Sequence, residues 1–201
     1  LIDSNLKITK KYKNEITVAL AGNPNVGKST IFNALTGMKQ HTGNWPGKTV
    51  SNAHGHFHTE KNSYLLVDIP GTYSLMAHSA EEEIARNYLC FGEPDIVVVV
   101  CDATCLERNL NLVLQTCEIT NNVILCINLI DEAKKKHIQI DTNKIEKELG
   151  IPVVTTAANK KTSIKSLTDA LDKFDKRHLT KPLTPSYSNE IETAVKIIEK
   201  E

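Results

Sequence analysis

The stretch Ile16-Thr17-Val18-Ala19-Leu20-Ala21-Gly22-Asn23-Pro24-Asn25-Val26-Gly27-Lys28-Ser29-Thr30-Ile31-Phe32-Asn33-Ala34-Leu35-Thr36 decides the fold. Residues Ile16–Ala21 are apolar and partly β-branched, the signature of a buried strand. Ser29–Thr36 carries apolar residues at helical spacing. Between them, Gly22 to Ser29 fits G-x-x-x-x-G-K-[ST], a glycine-hinged loop that aims several backbone N–H groups at one anion. Lys28 offers a mobile positive charge to β- and γ-phosphates, and the Ser29 hydroxyl is a hard ligand for Mg²⁺. With strand and helix both in place, a chance match in a glycine-containing turn is disfavoured. Gly22, Asn23, Pro24, Asn25, Val26, Gly27, Lys28, Ser29 and Thr30 are therefore the residues expected to hold a nucleoside triphosphate.

The 201 residues around this loop suffice for one sizeable α/β core, with room for a short appendage. Lysine plus arginine and aspartate plus glutamate balance at 24 each, so no global basic field recruits nucleic acid or an anionic membrane. Aromatic residues make up 5%, too few for stacking platforms on a single strand. No apolar run reaches the ~20 residues of a membrane-spanning helix. No secretory signal is visible either, so the chain as it stands is expected to be soluble. Cys90, Cys101, Cys105, Cys117 and Cys126 form no C-x-x-C pair and read as reduced thiols of a cytosolic protein, used for packing.

Further strand-like runs at Tyr64–Ile69, Ile96–Cys101, Val123–Asn128 and Ile151–Thr155 alternate with helical patterns at Ala80–Cys90, Leu106–Ile119, Lys144–Leu149 and Ile164–Phe174. The alternation predicts a parallel sheet with right-handed crossovers and helices on both faces. Val50 to His58 joins Tyr64–Ile69 through a link too short for a crossover, so it is expected to pair antiparallel. Leu179 to Pro185 holds two prolines and little pattern, which separates a domain over residues 1–178 from a segment over 179–201. In that segment Ser188-Asn189-Glu190-Ile191 opens an amphipathic helix.

Two more motifs fall at strand ends. Asp68-Ile69-Pro70-Gly71 fits D-x-x-G, forty residues past the lysine. Its Asp68 suits Mg²⁺ and its Gly71 N–H suits a γ-phosphate. Hydrolysis removes that phosphate, which makes the following loop a natural switch. Asn128-Leu129-Ile130-Asp131 closes another apolar strand. A carboxylate at Asp131 accepts two hydrogen bonds from the guanine N1–H and N2–H₂ edge, which adenine does not offer. Asn128 braces the base and its loops. Thr155-Thr156-Ala157 ends the last strand, where the N–H groups of Thr156 and Ala157 suit guanine O6. Together these predict a Ras-like P-loop GTPase: α/β, six strands, mostly parallel, one antiparallel edge strand. Leu129 stands where N-K-x-D carries lysine, which predicts looser nucleotide retention. Thr72 stands where Ras-type enzymes carry a water-orienting glutamine, which predicts slow turnover.

Gln40-His41-Thr42-Gly43-Asn44-Trp45-Pro46-Gly47-Lys48-Thr49-Val50, between G-N-P-N-V-G-K-S and D-I-P-G-T-Y-S-L, resembles the cytoplasmic GTPase domain of the ferrous iron transport protein B family. The resemblance covers roughly residues 15–174. It implies that Thr49 meets Mg²⁺ and the γ-phosphate, completing the Mg²⁺ set of Ser29, Thr49 and Asp68. It also implies a K⁺ site built from Asn25 and the carbonyls of Gly43 and Trp45. A second cation beside the phosphates then neutralises charge as an arginine finger does elsewhere. The expected catalytic set is Lys28, Asn25, Thr49 and Gly71, with GTP/GDP, Mg²⁺ and K⁺ as cofactors.

The resemblance further implies a slow, potassium-stimulated GTPase whose switch movement controls ferrous iron uptake. It places the domain on the cytoplasmic face of the cell membrane, ahead of a helical module and a transmembrane iron-permease region of the same polypeptide. It leaves room for a homo-oligomer in the full-length protein, and no nucleic acid is expected. Two other readings stay open: a ribosome-assembly or RNA-modification GTPase, and a GTP sensor with negligible hydrolysis. His54, His56 and His58 alternate along one strand face, but span about 13 Å if fully extended, too far for one tight ion. They are expected to be solvent-facing strand residues, and His41 and His78 solvent-facing loop residues.

Overall fold

Three central strands are buried along nearly their whole length. The chain runs β1 (Ile16–Gly22), α1 (Lys28–Thr36), β2 (Gln40–Asn44), β3 (Ser51–His58), β4 (Ser63–Asp68), α2 (Ala80–Phe91) and β5 (Ile96–Asp102). It continues α3 (Leu106–Ile119), β6 (Val123–Asn128), α4 (Ile130–Lys135), α5 (Thr142–Leu149), β7 (Val153–Thr155), α6 (Lys161–Lys173) and α7 (Asn189–Ile198). The computed structural model describes residues 10, 14–38, 40–45, 48–76, 78–157, 161–174, 182–185 and 187–198. The strands form one sheet in the order β2-β3-β4-β1-β5-β6-β7. β1 pairs parallel with β4 and β5, and the parallel run continues through β6 to β7.

Being covered on both faces, β1, β5 and β6 bury nearly every side chain and read as unbroken apolar runs. On one face, Ile31 and Phe32 of α1 and Ile164, Leu167 and Leu171 of α6 pack on Val18, Leu20, Val98 and Ile124. On the other, Ile84 and Tyr88 of α2 and Leu112, Val113 and Cys117 of α3 pack on Ala19, Val97, Val99 and Leu125. Cys101, Cys117 and Cys126 are buried, whereas Cys90 and Cys105 are exposed. Burial pushes the Cys126 thiol up to about 12, so it behaves as an apolar core residue.

The sheet has seven strands among the described residues, one more than the sequence predicts. The extra strand is β2, whose Gln-His-Thr-Gly-Asn offers no apolar alternation and pairs on β3 through its backbone. Among the described strands β3 alone runs against the others, pairing antiparallel with β2 and β4, and it lies inside the sheet instead of at its edge. The same pairing corrects the loop assignment of His41, which sits in β2 opposite His54 with the two rings stacked at 5.4 Å. The six-residue helix α4 is also additional, too short to show a helical period. β7 starts at Val153 and α6 at Lys161, shifts of two and three residues from the predicted starts.

At the end of the sheet remote from the phosphate loop, one carboxylate oxygen of Asp172 in α6 gathers three donors. It accepts from the Thr59 hydroxyl at 2.7 Å, the Tyr64 hydroxyl at 2.8 Å and the Asn62 amide at 3.1 Å. This pins α6 to the β3–β4 turn. Beyond α6, the Leu183 N–H donates to the Leu149 carbonyl at 2.8 Å, and the Tyr187 hydroxyl to Glu118 at 2.7 Å. α7 buries none of its described residues, so its apolar stripe of Ile191, Val195 and Ile198 stays exposed. Among the described residues no helix is long and apolar enough to cross a membrane.

Candidate functional site

β1 delivers the chain to the carboxyl edge of the sheet, and the loop before α1 lies across it. There a cavity of about 460 Å³ is lined by Asn23, Pro24, Asn25, Gly27, Lys28, Ser29, Thr30 and Gly71. α1 begins at Lys28, so its unsatisfied N–H groups lie at the cavity, a favourable site for an anion. Gly27 adopts φ 89°, and a Cβ there would collide with the Asn128 amide. Asn25 sits at φ 65°, a left-handed conformation that asparagine tolerates better than most side chains. Its exposed carboxamide has no hydrogen-bond partner among the described residues.

Lys28 and the D-x-x-G segment meet in the structure. The Lys28 ammonium lies 2.9 Å from an Asp68 oxygen and donates to the Ile69 carbonyl at 2.8 Å. Both side chains are largely shielded, at 10% and 19% exposure, so their attraction is weakly screened. Gly71 comes so close to the loop that a Cβ there would lie 3.3 Å from Pro24 Cα and N. The Thr72 N–H donates to the Gly22 carbonyl at 3.2 Å, a second tie between the two motifs.

Thr72 itself is buried, and its hydroxyl donates to the Ser74 carbonyl at 2.5 Å, with Glu82 at 3.3 Å. It organises its own loop and offers no side chain to a water in the cavity. Glu82 also accepts from the His78 N–H at 3.0 Å, while the Ser79 hydroxyl caps α2 through Glu82 N–H at 3.1 Å. Ser79-x-x-Glu82 is a capping-box spelling, the signal by which Glu82 was open to detection from sequence. From α3, Gln115 accepts the Leu75 N–H at 2.8 Å and the Arg108 guanidinium lies 4.4 Å from the Tyr73 ring centroid.

At the other end of the site, Asn128 is fully buried. Its amide donates to the Val26 carbonyl at 2.9 Å and its oxygen accepts from the Thr156 hydroxyl at 2.9 Å. The Ile130 N–H donates to the Thr156 carbonyl at 3.2 Å. The three loops that follow β1, β6 and β7 are thereby tied into one floor. Leu129 takes φ 60° and turns the chain into α4, which carries the half-exposed Asp131 in its first turn. The Thr156 N–H is spent on the Ile127 carbonyl at 2.8 Å, and the Ala157 N–H on the Ser163 hydroxyl.

The first-switch residues are elsewhere. Gly43 is in β2 opposite Asn52, Trp45 is buried, and Thr49 is exposed and does not line the phosphate cavity. Pro46 and Gly47 lie outside the described residues. The strand histidines divide their attachments: His54 to Asn52 at 3.2 Å, His56 to Glu15 at 2.7 Å and His58 to Ser63 at 2.9 Å. Burial, then His41 and His56, hold the His54 imidazole below its ordinary range. No metal-binding cluster forms among the described residues.

A family model described as ferrous iron transport protein B matches residues 16–171. The Fe(2+) transporter FeoB of Salmonella typhimurium is 41% identical over 165 residues, which is 80% of this chain and 21% of that protein. This chain thus spans about a fifth of the length of the curated relatives it matches. The crystal structure of the G domain of T. maritima FeoB is 46% identical, with a TM-score of 0.73, over 77% of this chain and 95% of that one. The cytosolic domain of the same protein, in GDP and GMPPNP forms, is 40% identical with TM-scores of 0.84 and 0.85. Those matches cover 92% of this chain and 72% and 73% of theirs.

Proposed function

The chain belongs to the ferrous iron transport protein B family, and we propose that it is the GTP-binding, GTP-hydrolysing domain of a ferrous iron transporter. The observation that carries this is Asn128 joining the phosphate loop to the loop after β7, with Asp131 three residues on. One rigid floor then presents a phosphate cradle at one end and a carboxylate for the guanine edge at the other. Residues 1–178 form the nucleotide-binding domain, and 179–201 begin a helical module that leads to a transmembrane permease region. Switch movement at the cytoplasmic face of the membrane regulates iron uptake, with homo-oligomers formed by the longer polypeptide.

Oxygen donors suited to Mg²⁺ are present in Ser29 on the cavity wall and Asp68 beside Lys28, with Thr49 joining from the first switch. The ion supplies charge neutralisation at the phosphate oxygens. Asn25, with its free carboxamide on the cavity wall, suits K⁺, and the carbonyls of Gly43 and Trp45 complete that set. The burial of Thr72 favours a second reading, a GTP sensor with negligible hydrolysis, because no side chain follows Gly71 into the cavity. The test is GTP turnover in KCl against NaCl at matched ionic strength, with Asn25→Ala and ATP as controls. Potassium stimulation lost in the variant supports the hydrolase. Equal rates in both salts remove the cation role of Asn25, and tight GTP binding without turnover selects the sensor.

A further inference from the structure

Gly71-Thr72-Tyr73-Ser74-Leu75 leaves the phosphate cavity and enters the core within five residues. Gly71 lines the cavity, and Leu75 is 7% exposed in the cluster that holds Ile84 and Tyr88. A segment this short has its backbone path set by what holds its two ends. At the first end the Thr72 N–H donates to the Gly22 carbonyl of the phosphate loop at 3.2 Å. The second end is held by α3, where the Gln115 side-chain oxygen accepts the Leu75 N–H at 2.8 Å. A backbone N–H only donates, so this bond fixes which way the carboxamide faces. Its NH₂ then lies 3.4 Å from the Ser74 hydroxyl.

Arg108, two helical turns before Gln115 and so on the same side of α3, lies over the Tyr73 ring at 4.4 Å. That contact is the looser one: Tyr73 is 44% exposed, and a ring can slide under a guanidinium without moving its main chain. Gln115 holds a main-chain N–H directly. The main chain is also what matters here, because the Thr72 hydroxyl is engaged by the Ser74 carbonyl and points no donor at the cavity. What the segment presents to a phosphate is therefore backbone, above all the Gly71 N–H. Backbone groups have no rotamer of their own, and only the ties on the chain aim them.

We propose that Gln115 is a positioning residue for GTP hydrolysis: from α3, through the Leu75 N–H, it sets the path of residues 71–75 and so aims their backbone at the phosphate cavity. This rests on the reading that the chain hydrolyses GTP. Gln115 does not line the cavity, so its loss acts on turnover and not on ground-state binding.

The experiment compares Gln115→Met, which keeps the length and removes the acceptor, with Gln115→Glu, which keeps an oxygen for the Leu75 N–H. GTP turnover is measured with Mg²⁺ in KCl, GDP affinity by calorimetry, and exchange of the Leu75 amide by NMR. Gln115→Met should lower kcat about tenfold, leave KM and GDP affinity within about twofold, and quicken Leu75 exchange. Gln115→Glu should recover kcat to within about threefold of wild type and keep the Leu75 amide protected. Asp172→Asn, a destabilising change at the remote end of the sheet, should leave kcat unchanged. Wild-type turnover that survives in Gln115→Met overturns the positioning role alone. A loss matched by Asp172→Asn, or accompanied by weaker GDP binding, overturns it too, because stability or binding then explains the effect. Absence of wild-type turnover overturns the hydrolase reading and this role with it.

Discussion

The Asn128 amide donates to the Val26 carbonyl at 2.9 Å, a single hydrogen bond between residues 102 positions apart in sequence. The same carboxamide accepts from Thr156, so one fully buried side chain fixes the spacing between phosphate cradle and base pocket. In asparagine the donor and acceptor are rigidly coplanar, so neither hydrogen bond adjusts without the other.

Asn128→Ala leaves the Val26 carbonyl and the Thr156 hydroxyl without this partner in a buried place. Stability should fall by about 2–4 kcal/mol, read from urea unfolding, since each unsatisfied buried group costs about 1–3 kcal/mol. GDP affinity should fall in the same variant, because the cradle loses its spacer.

Leu129→Lys restores a long stem at the turn into α4. It should slow release of a fluorescent GDP analogue by about threefold to tenfold, through stem packing on the base and cradle. An unchanged rate in stopped flow would show that retention is set elsewhere.

Gly71→Ala brings a methyl to 3.3 Å from Pro24 Cα and N. Backbone on both sides resists, so the second switch must shift by a few tenths of an ångström. Single-turnover GTP hydrolysis should drop about tenfold, as small misplacements of reacting groups do. GDP affinity should stay near wild type.

Asp172 gives a pH-dependent prediction. Burial alone would raise its carboxyl, but hydrogen bonds from Thr59, Tyr64 and Asn62 together hold it below the ordinary value. A carboxyl depressed in the fold contributes stability above its unfolded value of about 3.8, lost as pH falls through the folded value. Asp172→Asn should therefore be less stable than wild type at pH 7, with the gap closing below pH ~4 in thermal melts.

Much of this site was legible because its chemistry is local. The cradle needs consecutive residues from Gly22 to Ser29, and β1 and α1 flank it in sequence, so period and motif point the same way. Asp68, Gly71 and Asn128 stand out by their places at strand ends, where an α/β sheet collects ligands. What escaped was set by distant partners. Nothing in Gln-His-Thr-Gly-Asn signals a strand until β3 supplies the other half of the ladder. The burial of Trp45 was not legible either, because Tyr88, which its ring meets, lies on a helix 43 positions later. The engagement of the Ala157 N–H by Ser163 was equally invisible, since it depends on how α6 enters.

β2 has a ladder partner on one side only, and the strand it leans on is joined to β4 by a turn of four residues. Every hydrogen bond that β2 makes in the sheet is thus the last link of a chain-local meander, whereas β1 and β5 are locked by crossovers. The molecule should therefore open in stages under native conditions: β2 amides exchange with solvent deuterium through a small sub-global event, while those of β1, β5 and β6 wait for global unfolding.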